Sequence, residues 1–135
     1  MDEEGFLYLP YADKQEVRRW RVGDTQGTIV AGGNGVGNGL NQLNHPRLIF
    51  VDRDHSVYIS EYGNNRVVKW EKGAKQGTVV AGGNGAGSSL SQLRDPEGIV
   101  VDQSGTIYVA DRHNHRIMRW RRGAKKGEII AGGNG

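Results

Sequence analysis

The pentapeptide Ala-Gly-Gly-Asn-Gly occurs three times, at residues 31–35, 81–85 and 131–135, each copy 50 residues after the last. The surroundings are copied with it. The pattern W-x-x-G-x-x-x-G precedes each copy, starting at Trp20, Trp70 and Trp120, and L-x-Q-L-x-x-P follows the first two, at residues 40–46 and 90–96. Residues 36–85 align on 86–135 without a gap, with roughly two positions in five identical, and a period this long marks a repeated supersecondary unit. The chain must therefore fold as a series of like units, each burying its apolar surface against the next.

Within the last repeat the apolar runs are short and rich in β-branched and aromatic residues: GIVVD, TIYVAD, HRIMRW and EIIAG. Between them lie QSG, RHN and RRGAKKG. Such runs bounded by Gly, Asn and Ser clusters are strands joined by tight turns, which predicts four strands per repeat in an antiparallel meander. Several strands are apolar on consecutive residues, so both faces of each sheet need cover, and stacked sister sheets supply it. Four-stranded units on a period of about 40–50 residues predict an all-β β-propeller. A parallel β-helix is the rival, and the hairpin turns between successive strands count against it.

The first copy is incomplete. Residues 1–20 align on 51–70, so Met1 stands where Val51 and Val101 stand, and the innermost strand has no counterpart. The expected organisation is an incomplete blade over 1–35, a second repeat over 36–85 and a third over 86–135, one partial propeller segment. Two open blade faces are expected, covered either by the rest of a longer protein or by a second copy closing a ring as a homodimer.

Residues 96–117, PEGIVVDQSGTIYVADRHNHRI, resemble an NHL repeat, whose Asn-His-Leu-like triplet reads Asn114-His115-Arg116 here. The sister segment 46–67, PRLIFVDRDHSVYISEYGNNRV, resembles it equally, with Asn64-Asn65-Arg66; the first copy departs, placing Lys14-Gln15-Glu16 in that slot. The resemblance implies a propeller of about six blades, of which this chain supplies about three. Fold alone does not choose an activity.

The glycine-rich link invites a nucleotide-binding reading, which the residues do not support. A Walker loop needs Lys-Ser/Thr after its last glycine and a dinucleotide loop needs G-x-G-x-x-G opening a helix; GGNGVGNG and GGNGAGSS have neither. The expected role is a path from the outer strand of one blade to the inner strand of the next, with Gly and Asn supplying left-handed backbone. No cofactor is implied. Cysteine is absent, so neither a disulfide framework nor a thiolate metal site is expected. No apolar run reaches membrane-spanning length, no membrane partner is expected, and nothing in the sequence assigns a compartment.

The net charge is +3, and 13 of the 18 Lys and Arg fall in 16–21, 66–75 and 116–126, the third strand and the hairpin that follows it. The densest hairpin holds Arg121, Arg122, Lys125 and Lys126. Some propellers similar to this one bind RNA, and these four residues are the candidate phosphate contacts. The competing reading is solvation of outer strands. Trp20, Trp70 and Trp120 recur in register and are expected to pack between blades, not to stack on bases.

The same register test sorts the polar residues. Asp2, Asp52 and Asp102 recur and are expected to cap turns; Asn64, Asn114, Arg66 and Arg116 recur beside Glu61 or Asp111 and read as structural pairs. Residues that break register are the candidate ligand-binding set: Arg47, Tyr62, Arg94, Asp95, Glu97, Arg112, His113 and His115, near turns at the end that carries the glycine link. His113 and His115 alone do not make a zinc site, which needs a third converging ligand, so no metal is expected.

Propeller lyases similar to NHL proteins carry zinc-binding His at the positions held here by Arg47 and Glu97, and propeller lactonases use carboxylates around the channel, where Glu97 stands without partners. No catalytic residue is assigned. The expected function is non-catalytic recognition of a protein or peptide partner; the alternatives are RNA binding and membership of a propeller enzyme whose site lies mostly in other blades.

Overall fold

The computed structural model describes residues 5–133. Residues 1–4 and 134–135, and with them the expected turn cap Asp2, lie outside the described residues. The strands are β1 (Phe6–Tyr11), β2 (Glu16–Arg21), β3 (Thr28–Gly32), β4 (Pro46–Val51), β5 (Val57–Glu61), β6 (Arg66–Trp70), β7 (Thr78–Gly82), β8 (Pro96–Val101), β9 (Ile107–Asp111), β10 (Arg116–Trp120) and β11 (Glu128–Gly132), with a 3-10 turn at Arg112–Asn114. They form three antiparallel meanders in the orders β1-β2-β3, β4-β5-β6-β7 and β8-β9-β10-β11. These are three blades of a β-propeller, the first with three strands among the described residues.

The two-residue period of each strand divides its side chains between two neighbours. In blade 2, Val57, Ile59, Val68 and Trp70 join Tyr8, Val17 and Ala31 of blade 1 in one core. The alternate residues Tyr58, Val67 and Ala81 face the other way, into a core with Ile99, Val101, Ile107, Val109, Met118 and Trp120 of blade 3. Every residue of β5 is buried, as expected of a strand covered on both faces. Where no blade lies opposite among the described residues the same positions are open: Leu7 and Leu9 are exposed, and so is β11 along its whole length.

Each blade repeats the same irregularity. The pairing of third and outer strands slips between Val17 and Arg18, Val67 and Val68, and Ile117 and Met118. A bulge there increases local twist. The turn between inner and second strand is capped as expected: Asp52 Oδ1 accepts from the amides of Asp54 and Ser56 at 3.0 and 2.9 Å, and Asp102 Oδ1 does the same for Ser104 and Thr106.

Candidate functional site

The glycine link is a clamped structural loop. Asn34 and Gln42 tie the link to itself through Asn34 Nδ2 to the Asn41 carbonyl at 2.8 Å and Gln42 Nε2 to the Asn34 carbonyl at 3.1 Å; Asn84 and Gln92 repeat both bonds. Leu43 and Leu93 then plug the two inter-blade cores. Gly82 stands at φ +67°, a conformation that costs other residues, and a Cβ there would meet the Asn65 carbonyl oxygen at 2.6 Å.

The recurrent arginines close the clamp. Arg116 donates from Nε to Asp111 Oδ2 at 2.8 Å, from Nη1 to the Ser88 carbonyl at 2.9 Å, and from Nη2 to those of Ser89 and Gln92 at 3.0 and 3.1 Å. Asn114 adds Nδ2 bonds to Asp111 and to the Gly87 carbonyl. Arg66, Glu61 and Asn64 reproduce the set on Asn38, Gly39, Gln42 and Gly37. The amides of the glycine-rich path are engaged as well, Gly33 and Gly37 donating to the Gln15 and Leu43 carbonyls and Gly39 to Gln42 Oε1, and backbone N–H groups of this kind are the donors a phosphate cradle would need.

The register-breaking residues gather where blades 2 and 3 meet, at the end of the disc where the inner strands begin. Asp95 is 4 % exposed, and a carboxylate so placed needs paired hydrogen-bond donors. Arg47 Nη1 reaches its Oδ1 at 2.8 Å from the preceding blade, while Arg112 Nη1 and His113 Nδ1 lie 3.4 and 3.5 Å from its Oδ2. Glu97 approaches both guanidiniums, 3.6 Å from Arg47 and 3.9 Å from Arg112. The Arg47 guanidinium also lies over the Tyr62 ring, 4.9 Å from its centre, a cation–π contact, and His45 meets the same ring edge-on.

The backbone explains why these chains converge. His45 and Asp95, each just before a proline, adopt φ of +55° and +54°, a left-handed geometry that His and Asp tolerate better than most residues. Each is held by a side chain from the preceding blade: Gln15 Oε1 accepts the His45 amide at 2.6 Å and Asn65 Oδ1 accepts the Asp95 amide at 3.0 Å. The positions 45 and 95, 47 and 97, 62 and 112, 63 and 113 are equivalent in the repeat. The site is built from one set of structural slots filled with two different chemistries.

Two expected members stand differently. Arg94 is exposed and takes part through its backbone, its carbonyl accepting the His113 amide at 3.1 Å and its amide donating to Asp111 Oδ1. His115 sits apart from the cluster: it ends the 3-10 turn at φ +50°, and its carbonyl accepts the Gly133 amide at 2.8 Å. Among the described residues no group of three or more His, Asp or Glu is arranged to hold a metal ion.

The basic hairpin lies at the opposite end, where β10 turns into β11. Arg121, Arg122, Lys125 and Lys126 are all exposed there, but Arg121 is bound to Glu128 at 2.9 Å, and Arg119 binds the same carboxylate at 3.0 Å. A groove of about 1190 Å³ runs between blades 2 and 3 along β7 toward this end, lined by Phe50, Tyr58, Lys69, Asp102 and Arg122 among others. Burial among these groups, with the Asp52 charge, pushes the Tyr58 phenol above its ordinary value. Sequence reasoning did not foresee this groove, because its walls come from segments far apart in the chain.

Comparison with known proteins agrees with this fold. Residues 93–119 match the NHL repeat, a stretch that contains Asp95, Glu97, Arg112 and His113. Among curated proteins, no sequence matches the chain. Among solved structures, a chain of a nidogen/laminin complex superposes with a TM-score of 0.71 at 20% identity, covering 98% of this chain and 46% of that one. A protein of unknown function from Bacteroides thetaiotaomicron VPI-5482 gives 0.70 at 20% identity, covering 98% and 34%. A streptogramin B lyase gives 0.55 at 16% identity, covering 87% and 34%. At such identities the likeness is one of fold, and this chain spans less than half the length of each of these structures.

Proposed function

We propose that this arc of NHL-type blades is a non-catalytic recognition scaffold, and that it binds a protein or peptide partner at the end carrying Arg47, Tyr62, Glu97, Arg112 and His113. The observation that carries the proposal is the convergence of non-repeated side chains on the buried Asp95 carboxylate. The residues that recur between blades are used up in caps, clamps and cores, whereas these break register, stand partly exposed and are prearranged. A preformed set of oriented charged and aromatic groups lowers the ordering cost of binding. The bonds of Asp95 to Arg47 and Arg112 commit this buried carboxylate to orienting side chains, which favours binding over catalysis.

The test is selection of binders from a random peptide library on the immobilised protein, followed by substitution at both ends of the disc. Arg112→Glu and Tyr62→Ala are expected to weaken the selected peptides by about tenfold or more, the scale of a lost charge-assisted anchor, with Arg121→Glu/Arg122→Glu without effect. Binders that respond only to the second pair, or RNA binding abolished by it with steep salt dependence, would overturn the assignment.

A further inference from the structure

We propose that the guanidiniums of Arg47 and Arg112 recognise the side-chain carboxylate of an acidic peptide segment, an inference that rests on the recognition role assigned above to this face. Asp95 acts as a positioning residue: one oxygen holds Arg47 at 2.8 Å and the other faces Arg112 at 3.4 Å. Both forks are thereby turned to one buried centre, while much of each side chain remains in solvent, 37% for Arg47 and 59% for Arg112. The Arg47 guanidinium is further held by the Tyr62 ring over which it lies. Each guanidinium carries five N–H donors in a fixed fork suited to a carboxylate, and the contacts with Asp95 and Glu97 occupy only part of that capacity.

The local charge selects among anions. Arg47 and Arg112 face two carboxylates, Asp95 and Glu97, and once Glu97 is displaced the two guanidiniums set against Asp95 leave an excess of one positive charge. A single carboxylate balances it. A phosphate group, with a charge of about −1.5 to −2 at neutral pH, overshoots it and meets Glu97 at close range. Glu97, 42% exposed and only 3.6 to 3.9 Å from the two forks, is the carboxylate an incoming one would displace, since exposed pairs of that length contribute little.

The experiment is a titration of the protein followed by NMR, reading the arginine Nε–Hε signals and the amides of Tyr62 and His113. Four short peptides in a Gly/Ser background are compared: one capped at both ends with two adjacent glutamates, its glutamine analogue, its phosphoserine analogue, and a peptide whose sole carboxylate is a free C-terminus. The glutamate peptide is expected to shift the Arg47 and Arg112 signals and to bind about tenfold more tightly than the glutamine analogue. Arg112→Gln, at an exposed position, is expected to abolish that preference, and Glu97→Gln to increase affinity. Equal binding of the glutamine peptide at this face, or tighter binding of the phosphoserine or C-terminal probe, would overturn carboxylate side-chain recognition and leave the recognition face standing. Absence of shifts at Tyr62 and His113 with every peptide would overturn both.

Discussion

The guanidinium of Arg66 is bound to the carboxylate of Glu61 at 2.6 Å, with both side chains withdrawn from solvent. The remaining donors of Arg66 reach the carbonyls of Asn38, Gly39 and Gln42, so one side chain joins the second and third strands to the incoming link. Arg116 and Asp111 do the same in the next blade.

Removing one member of such a pair strands a buried charge. Arg66→Met is expected to lower stability by about 3–5 kcal/mol. Arg66→Lys is expected to lose about 1–3 kcal/mol, because an ammonium cannot serve a carboxylate and three carbonyls at once. The urea midpoint measures both, and a midpoint unchanged in Arg66→Met would show that the clamp is not stabilising.

Leu93 plugs the core between blades 2 and 3 and is fully buried. Leu93→Ala is expected to cost about 2–5 kcal/mol through lost transfer energy and a residual cavity. Leu40→Ala, at a partly exposed position in the same link family, serves as the control and is expected to cost much less. Chemical denaturation of the two variants compares them directly.

The three tryptophans are equivalent in sequence and unequal in partners. Trp70 Nε1 donates to the Ala74 carbonyl at 3.0 Å, whereas Trp20 Nε1 is buried with no hydrogen-bond partner among the described residues. An unpaired buried donor costs about 1–3 kcal/mol, so Trp20→Phe recovers part of that, while Trp70→Phe loses a made bond. Trp70→Phe is expected to be the more destabilising of the two by at least about 1 kcal/mol, measured by thermal or urea unfolding.

Tyr58 has a folded-state pKa above the ordinary 10.0 of tyrosine, chiefly through burial, with the Asp52 charge adding to it and Lys69 opposing. A raised folded value means that the unfolded chain ionises first. The stability contributed by the neutral phenol is therefore present below pH 10 and falls as pH rises through the folded value. Absorbance titration of tyrosinate is expected to lose its highest-pH component in Tyr58→Phe, and the loss of stability above pH 10 is expected to be shallower in that variant.

The sequence by itself determined the blade. The 50-residue repeat, the β-branched runs and the recurring Asp, Arg and Trp positions are local or periodic signals, and the strands, turn caps and Arg–carboxylate pairs follow from them. It also separated repeated residues from singular ones, and Arg47, Tyr62, Asp95, Glu97, Arg112 and His113 come together in the folded chain. Only the tertiary structure decided how they combine. Asp95 is the buried centre because Arg47 of the neighbouring blade reaches across to it, while His115, two residues from His113, is exposed and is engaged through its backbone, with Arg112 and Gly133. Spacing along a chain reports which blade position a residue occupies. Which carboxylate meets which guanidinium depends on the angle and distance between adjacent blades, set by packing of the cores around Leu43 and Leu93.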